Sequence, residues 1–175
     1  AVRKLLARLD LVSLSKQLRQ ELTETSSKQK MKDLTKRLER EQRVLVGVPE
    51  GSGSYEDGLT IATVAAVNNF GSADGRIPAR PFLQPAIKDG APMYRRLAEV
   101  MLPRVLSGEM EMRTLLEQMG NLAEGHVKQY ITDLRVPKNA DSTIAKKGSD
   151  NPLVHDGHLR QSVRYVIDES NDLLE

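Results

Sequence analysis

The sequence predicts a protein of the α+β class that contains one long helix and at least two strands. Apolar residues recur at helical spacing from Met112 to Leu134, which is the clearest pattern in the chain. The stretch Arg43-Val-Leu-Val-Gly-Val48 is rich in β-branched residues and stops at Pro49, as expected of a strand. Val163-Arg-Tyr-Val-Ile167 alternates as a strand does, and we expect it to lie beside residues 43–48.

The segment from Thr60 to Phe70 is apolar, with alanines among β-branched residues, so that strand and helix compete. We favour a helix, because Asp57 can cap its start and Gly71 can supply a left-handed residue after its end.

Prolines divide the region before the long helix. The sequence Ile77-Pro-Ala-Arg-Pro81 predicts an extended loop, since proline restricts itself and the residue before it. Residues 82–88 suggest a helical turn. Pro92 then suits the first position of a separate helix, which Pro103 and Gly108 kink or end.

The first 42 residues predict a basic helical arm, distinct from an α+β domain over residues 43–175. Its two amphipathic helices are separated by a polar break at residues 23–27. Each stripe is narrow, so we expect it to pack between subunits or against a partner. The apolar positions are Val2, Leu5, Leu6, Leu9, Leu14, Leu18 and Leu22 before the break, and Met31, Leu34 and Leu38 after it.

Residues 136–156 form a long polar segment without periodicity, followed by one helical turn at 158–163. Such a segment suits an arm that becomes ordered when it lies across a neighbouring subunit. We therefore expect it to contact another chain.

Composition and charge exclude several classes of function. The chain has no cysteine, which excludes disulfides, thiolate metal sites and cysteine nucleophiles. No stretch approaches the roughly 18 apolar residues of a membrane span, so no membrane partner is expected. Residues 1–43 hold 12 Lys/Arg against 6 Asp/Glu, a net charge of +6; because the total is +2, the remainder carries −4. The basic part could dock on an acidic surface, although a solvated helix of mixed charge explains it equally.

No motif for catalysis or for a cofactor is present. The glycine-rich loop between Gly47 and Gly58 lacks the Lys-Ser/Thr of a phosphate-binding loop. His155, Asp156 and His158 have a spacing that could place metal ligands together, but no further His or Cys lies nearby, and we expect no metal. His126 is expected to be a hydrogen-bonded core or interface residue.

Acidic pairs and nucleophiles give no stronger signal. Glu109 and Glu111 are expected to be solvated on a helix surface, and no serine occurs in a recognisable nucleophile motif. We therefore predict a protein that is not an enzyme.

Three segments in order carry a resemblance to a known family. They are Ile61-Ala-Thr-Val-Ala-Ala-Val-Asn-Asn-Phe-Gly71, Ile77-Pro-Ala-Arg-Pro-Phe-Leu83, and Thr143-Ile-Ala-Lys-Lys-Gly-Ser149 leading to Pro152-Leu-Val-His-Asp-Gly-His-Leu-Arg-Gln-Ser162. This order resembles the neck and tail-completion proteins of long-tailed bacteriophages, also described as head–tail joining or virion morphogenesis proteins. The resemblance spans about residues 44–168. Asn69 departs from it, since an acid is usual there, as does the pair His155-Asp156.

The resemblance implies a small, mainly antiparallel sheet packed on the long helix, and a homo-oligomeric ring, commonly six-fold, without a cofactor. It implies a place at the head–tail junction of the virion after assembly in the host cytoplasm. Expected partners are the connector or adaptor ring and the tail tube or tail terminator proteins. DNA would pass through the lumen without sequence-specific binding.

We expect the resembling segments to form the contact surface. Stiff Pro78 and Pro81 would present Arg80 from a preformed segment, which loses little entropy on binding. Phe82 has the aromatic character of an interface anchor, and a core position is an equal alternative for it. The candidate interface residues are Pro78, Arg80, Pro81, Phe82, Leu83, Lys147, Gly148, Pro152, Leu153, Gly157 and Leu159.

The alternative function is a nucleic-acid-binding protein that uses the basic arm. A steep dependence of DNA affinity on salt would distinguish it from a purely structural protein. The residues expected to contact DNA are Lys28, Lys32, Lys36, Arg37, Arg40 and Arg43.

Overall fold

The structure is a computed structural model that describes residues 7–9, 42–148, 150–154 and 157–169. It confirms the α+β class, with a small antiparallel sheet and a long helix. In chain order the elements are β1 (Ala7–Leu9), β2 (Arg43–Gly47), α1 (Ile61–Phe70), α2 (Leu83–Ser107), α3 (Met112–Asp133), α4 (Asp141–Lys147), α5 (His158–Gln161) and β3 (Arg164–Asp168).

The sheet has the order β1-β2-β3 and is antiparallel throughout. Val44 lies opposite Ile167, and Val46 lies opposite Tyr165, as predicted for two neighbouring strands. All five residues of β2 are buried, because β2 is the central strand and also packs on α3. The apolar side chains of β2 thus join the sheet to the helical layer.

The prediction of a helix around Leu9 is wrong, since Ala7–Leu9 forms the edge strand β1 paired with β2. The helical spacing of the leucines is a local pattern, and it gives no sign that β2 has an edge free for pairing. Pairing along this edge satisfies the backbone groups that a helix would satisfy internally. The remaining predictions for the arm, over residues 1–6 and 10–41, lie outside the described residues.

The prediction of two separate helices before α3 is also wrong, because α2 is continuous and contains Pro92 and Pro103. Each internal proline removes one helical hydrogen bond, at a cost of about 3 kcal/mol. The stripe that packs against α3 offsets this cost, and neither proline belongs to it. Gly108 ends the helix in a left-handed conformation with φ +82°, as predicted. The stripe consists of buried residues at four-residue spacing, Ala86, Gly90, Tyr94, Ala98 and Leu102.

The central helix α3 confirms the strongest pattern in the sequence. It has a buried stripe that faces α2 and the sheet. Gly120 lies on this stripe because the ring of Tyr165 from β3 occupies the place where a Cβ would stand. The largest fully buried side chains of the core are Phe82, Leu115, Leu116, Met119, Ile131, Val44, Val46, Val127 and Val163.

Two local predictions need correction. Thr60, not Asp57, caps α1, since the Thr60 side chain accepts from the backbone N–H of Thr63 at 3.1 Å. The segment 136–156 is not without structure, because it contains α4, which ends at left-handed Gly148. Its contact with another chain stays a prediction.

None of the helices in the described ranges combines the length and apolar character that crossing a bilayer requires.

Two glycines of α3 form a matched pair of test sites. Gly120→Ala should overlap the Tyr165 ring and destabilise the fold by about 1–3 kcal/mol through overpacking. Gly125→Ala meets no atom within 4 Å and should stabilise the helix by about 0.5–1 kcal/mol. The free energy of unfolding in urea measures both. Equal effects of the two substitutions would contradict the packing of β3 on Gly120.

Candidate functional site

The loop between α1 and α2 folds back on the end of α1. The backbone N–H of Arg80 donates to the carbonyl of Asn68 at 2.7 Å. Gly71 has φ +82°, and a Cβ there would lie 3.1 Å from both the Ala79 nitrogen and the Ile77 oxygen. This close approach requires glycine at position 71. The end of α1 is therefore packed directly against the loop that leads to Arg80.

Ser72 and Asp74 hold the tip of the loop. The Ser72 hydroxyl accepts from the backbone N–H of Ile77 at 2.8 Å and donates to Asp74 Oδ1 at 2.6 Å. Asp74 also accepts from the backbone N–H of Arg76 at 3.1 Å. The Ser72 hydroxyl, followed by this N–H, lowers the pKa of the exposed Asp74 carboxyl.

Arg80 is the centre of the site, with only 4% of its side chain exposed. Its guanidinium donates to the carbonyl oxygens of Pro137 at 2.8 Å and Lys138 at 3.0 Å. It also donates to Asn139 Oδ1 at 3.1 Å and to Asn68 Oδ1 at 3.4 Å. These four acceptors are neutral, and burial lowers the pKa of Arg80. We call Arg80 with these partners the Arg80 junction; it ties the end of α1 to the segment that follows α3.

Asn69 caps the following helix from outside it. Its Oδ1 accepts from the backbone N–H groups of Phe82 at 3.0 Å and Leu83 at 3.4 Å. Phe82 occupies the N-cap position of α2 and has no oxygen to cap with, so the buried amide of Asn69 takes that role.

Asn151 fixes the third segment to the end of α3. Its Nδ2 donates to the carbonyl of Thr132 at 2.8 Å, and its Oδ1 accepts from Leu153 and Val154 at 3.0 and 3.1 Å. A carbonyl in the last turn of a helix lacks an intrahelical partner, and Asn151 supplies one for Thr132.

The prediction that Arg80 projects as an exposed contact residue is wrong, and of the two alternatives for Phe82 the structure shows the core position. Phe82 is fully buried in the core, and Arg80 uses its donors within the subunit. Of the candidate interface residues, the buried ones are Arg80, Phe82, Leu83, Pro152, Leu153, Gly157 and Leu159; Pro78, Pro81 and Gly148 are exposed. The side chain of Lys147 is not among those that the structure describes. Arg43, expected to contact DNA, is buried in β2. The other five arm residues lie outside the described residues.

Sequence reasoning missed the asparagines Asn68, Asn69 and Asn151. Their signal is an amide residue beside Gly or Pro positions, which also describes any turn. Sequence reasoning also missed three exposed apolar side chains next to the Arg80 junction: Phe70 is 59% exposed, Ile77 is 40% exposed and Val136 is 70% exposed. Pro81 and Val136 line one shallow cleft.

His126 is a hydrogen-bonded residue, as predicted. Its Nδ1 lies 2.8 Å from Tyr94 Oη, and Gly90 leaves room for this pair. Burial raises the pKa of Tyr94 to about 12.

The described part of the chain contains no group of three His, Asp or Glu side chains that could hold a metal ion. His155 and Asp156 lie outside it, and the His158 ring centre lies 5.8 Å from that of Tyr55. Glu109 is exposed in a salt bridge with Arg104 at 3.8 Å, and Glu111 is exposed before α3.

Replacing Arg80 tests the Arg80 junction. Arg80→Met keeps the length of the side chain and removes its donors, so it should lower the free energy of unfolding by about 1–3 kcal/mol. The control is Arg76→Met, four residues earlier, where the side chain is 87% exposed and a change within about 0.5 kcal/mol is expected. Urea denaturation measures the free energy of unfolding of both variants. An unchanged value in Arg80→Met would contradict a stabilising role of the Arg80 junction, since water would then replace the guanidinium at no cost in stability.

Tyr94 should make stability depend on alkaline pH. Because its pKa rises from 10.0 in the unfolded chain to about 12 in the fold, its contribution is complete below pH 10 and is lost as pH rises through about 12. The wild-type protein should therefore lose more stability over this window than Tyr94→Phe, measured by urea unfolding at each pH. Parallel curves would contradict burial of the phenol.

Comparisons with known proteins show no family for this chain. No family profile and no solved structure match it. Over 38 residues, 22% of the chain, it is 68% identical to the DNA-directed RNA polymerase subunit beta' of Rhodopirellula baltica. This stretch covers 3% of that protein, so the similarity concerns a short segment of both chains.

Proposed function

We propose that the chain is a structural virion protein of a long-tailed bacteriophage that forms a homo-oligomeric ring at the head–tail junction. The observation that carries the proposal is the convergence of the resembling segments. Asn68 and Asn69 of the first segment bond Arg80, Phe82 and Leu83 of the second. Arg80 bonds the chain that leads into the third.

Residues of the converging segments each have a structural use, and this includes Asn69, which departs from the usual pattern. Gly71 permits a close backbone approach, Asn69 caps a helix, and Arg80 satisfies distant carbonyls. Each residue is used to hold the fold, and none of these contacts needs a ligand. Residues that are used to maintain the fold of a subunit are expected in a structural protein, and they support this function over that of an enzyme.

The contact surface that we propose is the set of exposed residues around the Arg80 junction, Phe70, Ile77, Pro78, Pro81 and Val136, which we call the apolar rim. Exposed apolar groups mark interaction sites when they adjoin one another, as Pro81 and Val136 do in one shallow cleft. The buried Arg80 and Asn69 hold the backbone beneath them, so little conformational entropy is lost on association. Phe70 is the aromatic anchor in place of Phe82.

In the proposed ring, several copies meet through the apolar rim, six being the number that the resemblance implies. The ring would dock on a connector or adaptor ring and on tail tube or tail terminator proteins, and DNA would pass through the lumen. The protein would act in the virion, after assembly in the host cytoplasm, without a cofactor.

Native mass measurement tests the proposal. We expect the purified chain of 19.5 kDa to form one closed species of several copies. Phe70→Ser and Val136→Ser should shift it to monomer, because each removes an apolar contact without touching the core. The control is Val100→Ser on α2, equally exposed at 63%, which should leave the assembly intact.

The free energy of unfolding in urea, measured on the monomers, should be similar for Phe70→Ser, Val136→Ser and Val100→Ser. A wild-type protein that stays monomeric at all concentrations would contradict the ring. A control that dissociates as readily as the two variants would contradict the assignment of the apolar rim as the interface.

A further inference from the structure

A second surface lies on the polar side of α3, where it meets α5. The two helices enclose an open cleft of about 310 Å³. Four of its residues come from one face of α3 at spacing i, i+3, i+4 and i+7, and two come from α5. The lining residues are Gly125, Lys128, Gln129, Thr132, Arg160 and Gln161.

Cations outnumber carboxylates around this cleft. Lys128 and Arg160 line it, and Arg160 Nη1 lies 3.5 Å from Thr132 Oγ1. Arg164 donates to the Gln161 carbonyl, which brings one more guanidinium group to the cleft.

Two carboxylates face this group. Glu124 pairs with Lys128 and lies 3.9 Å from Arg164, and Asp133 accepts from Gln129 at 2.8 Å. Among the described residues, three cations against two carboxylates leave a local excess of positive charge. The chain after residue 43 carries a net charge of −4, so the excess is a local feature rather than a property of the whole domain.

The cations retain donors for a ligand. The ammonium of Lys128 has three N–H donors and uses one on Glu124, and the guanidinium of Arg160 has five and makes one long contact. Gly125 has no atom within 4 Å of a Cβ position, so this part of the cleft is open. An anion could thus reach both charged side chains.

We propose that this cleft binds phosphate groups of a nucleic-acid backbone. Arg and Lys are the side chains that most often contact backbone phosphates, and a side-chain amide such as that of Gln161 can donate to them as well. The lining residues in the described part of the chain include no aromatic side chain on which a base could stack, so we expect binding to be independent of sequence.

Other ligands fit the cleft less well. Its described lining residues include no apolar side chain that could anchor a peptide or enter a lipid layer, and its open shape suits a polymer better than an enclosed metabolite. The basic residues 1–43 carry the same sign of charge, so one polyanion could satisfy both regions. The proposal does not depend on ring formation, because one subunit contains the whole cleft.

Fluorescence anisotropy with a labelled duplex of about 20 base pairs and arbitrary sequence tests the proposal, at several salt concentrations between about 0.05 and 0.2 M. The full chain is compared with a Lys128→Gln/Arg160→Gln double variant. We expect at least a tenfold loss of affinity at about 0.1 M salt, and a slope of log K against log salt that is smaller by about 2.

The matched control removes two exposed charges elsewhere, Lys88→Gln/Arg95→Gln on α2, and should retain the salt slope. A further variant, Gly125→Glu, places a carboxylate in the cleft without removing any contact and should weaken DNA binding to a similar degree. Urea unfolding confirms that each variant is folded. If the double variant does not fold, Gly125→Glu alone decides the outcome.

Several results would overturn the proposal. One is wild-type affinity in both cleft variants, which would place binding elsewhere, for example in the basic arm. Another is an equal loss in the control, which would show an effect of net charge alone. A third is binding of inorganic phosphate or of vesicles with anionic headgroups in the absence of DNA binding. Native mass is recorded on the same samples: cleft-dependent DNA binding by a chain that never forms a ring would refute the proposed function and leave this inference standing.

Discussion

The burial of one cation, Arg80, is the constraint on which the described fold depends most. A guanidinium removed from water loses strong hydration, and here neutral oxygens replace that hydration. Because Arg keeps its charge under ordinary conditions, its donors need acceptors, and these are the backbone carbonyls of Pro137 and Lys138 and the side-chain amide oxygens of Asn139 and Asn68. The α1–α2 loop and the exit of α3 are therefore held in one arrangement by a side chain that tolerates few others.

The two buried asparagines extend this constraint to the helix ends. Helix termini leave backbone groups without partners, and here the missing partners come from residues distant in sequence. Asn69 serves the start of α2, and Asn151 serves the last turn of α3. Capping from a distance couples the helix ends to the connecting segments, so the loops are attached at defined points to the helices they join. A rigid loop surface loses little entropy when it binds, which favours its use in assembly.

Local periodicity was sufficient to predict the elements that pack by a simple face. The stripe of α3 and the strands β2 and β3 depend on residues next to one another in sequence, and the structure confirms them. The continuity of α2 through Pro92 could not be predicted, because it depends on packing against α3.

The position of Arg80 could not be predicted for a similar reason. A charged residue between two prolines usually indicates an exposed turn, and three of the four side-chain partners of Arg80 lie 57 to 59 residues away. Sequence reasoning thus found the segments of the candidate site. It did not predict that Arg80 is buried, or that Phe70, Ile77 and Val136 are exposed.

The carboxyl-terminal part of α3 contributes residues to both proposed surfaces, on opposite faces of the helix. Tyr130 and Leu134 line the shallow cleft beside Pro81, next to the apolar rim. Gly125 and Thr132 line the basic cleft with α5. At 3.6 residues per turn, these two pairs lie roughly half a turn apart on the same helix. A subunit that buries the apolar rim against a neighbour would therefore leave the basic cleft open, because the helix itself stands between them. Assembly and phosphate binding can then be altered one at a time, since the contacts that define each surface involve different side chains of α3.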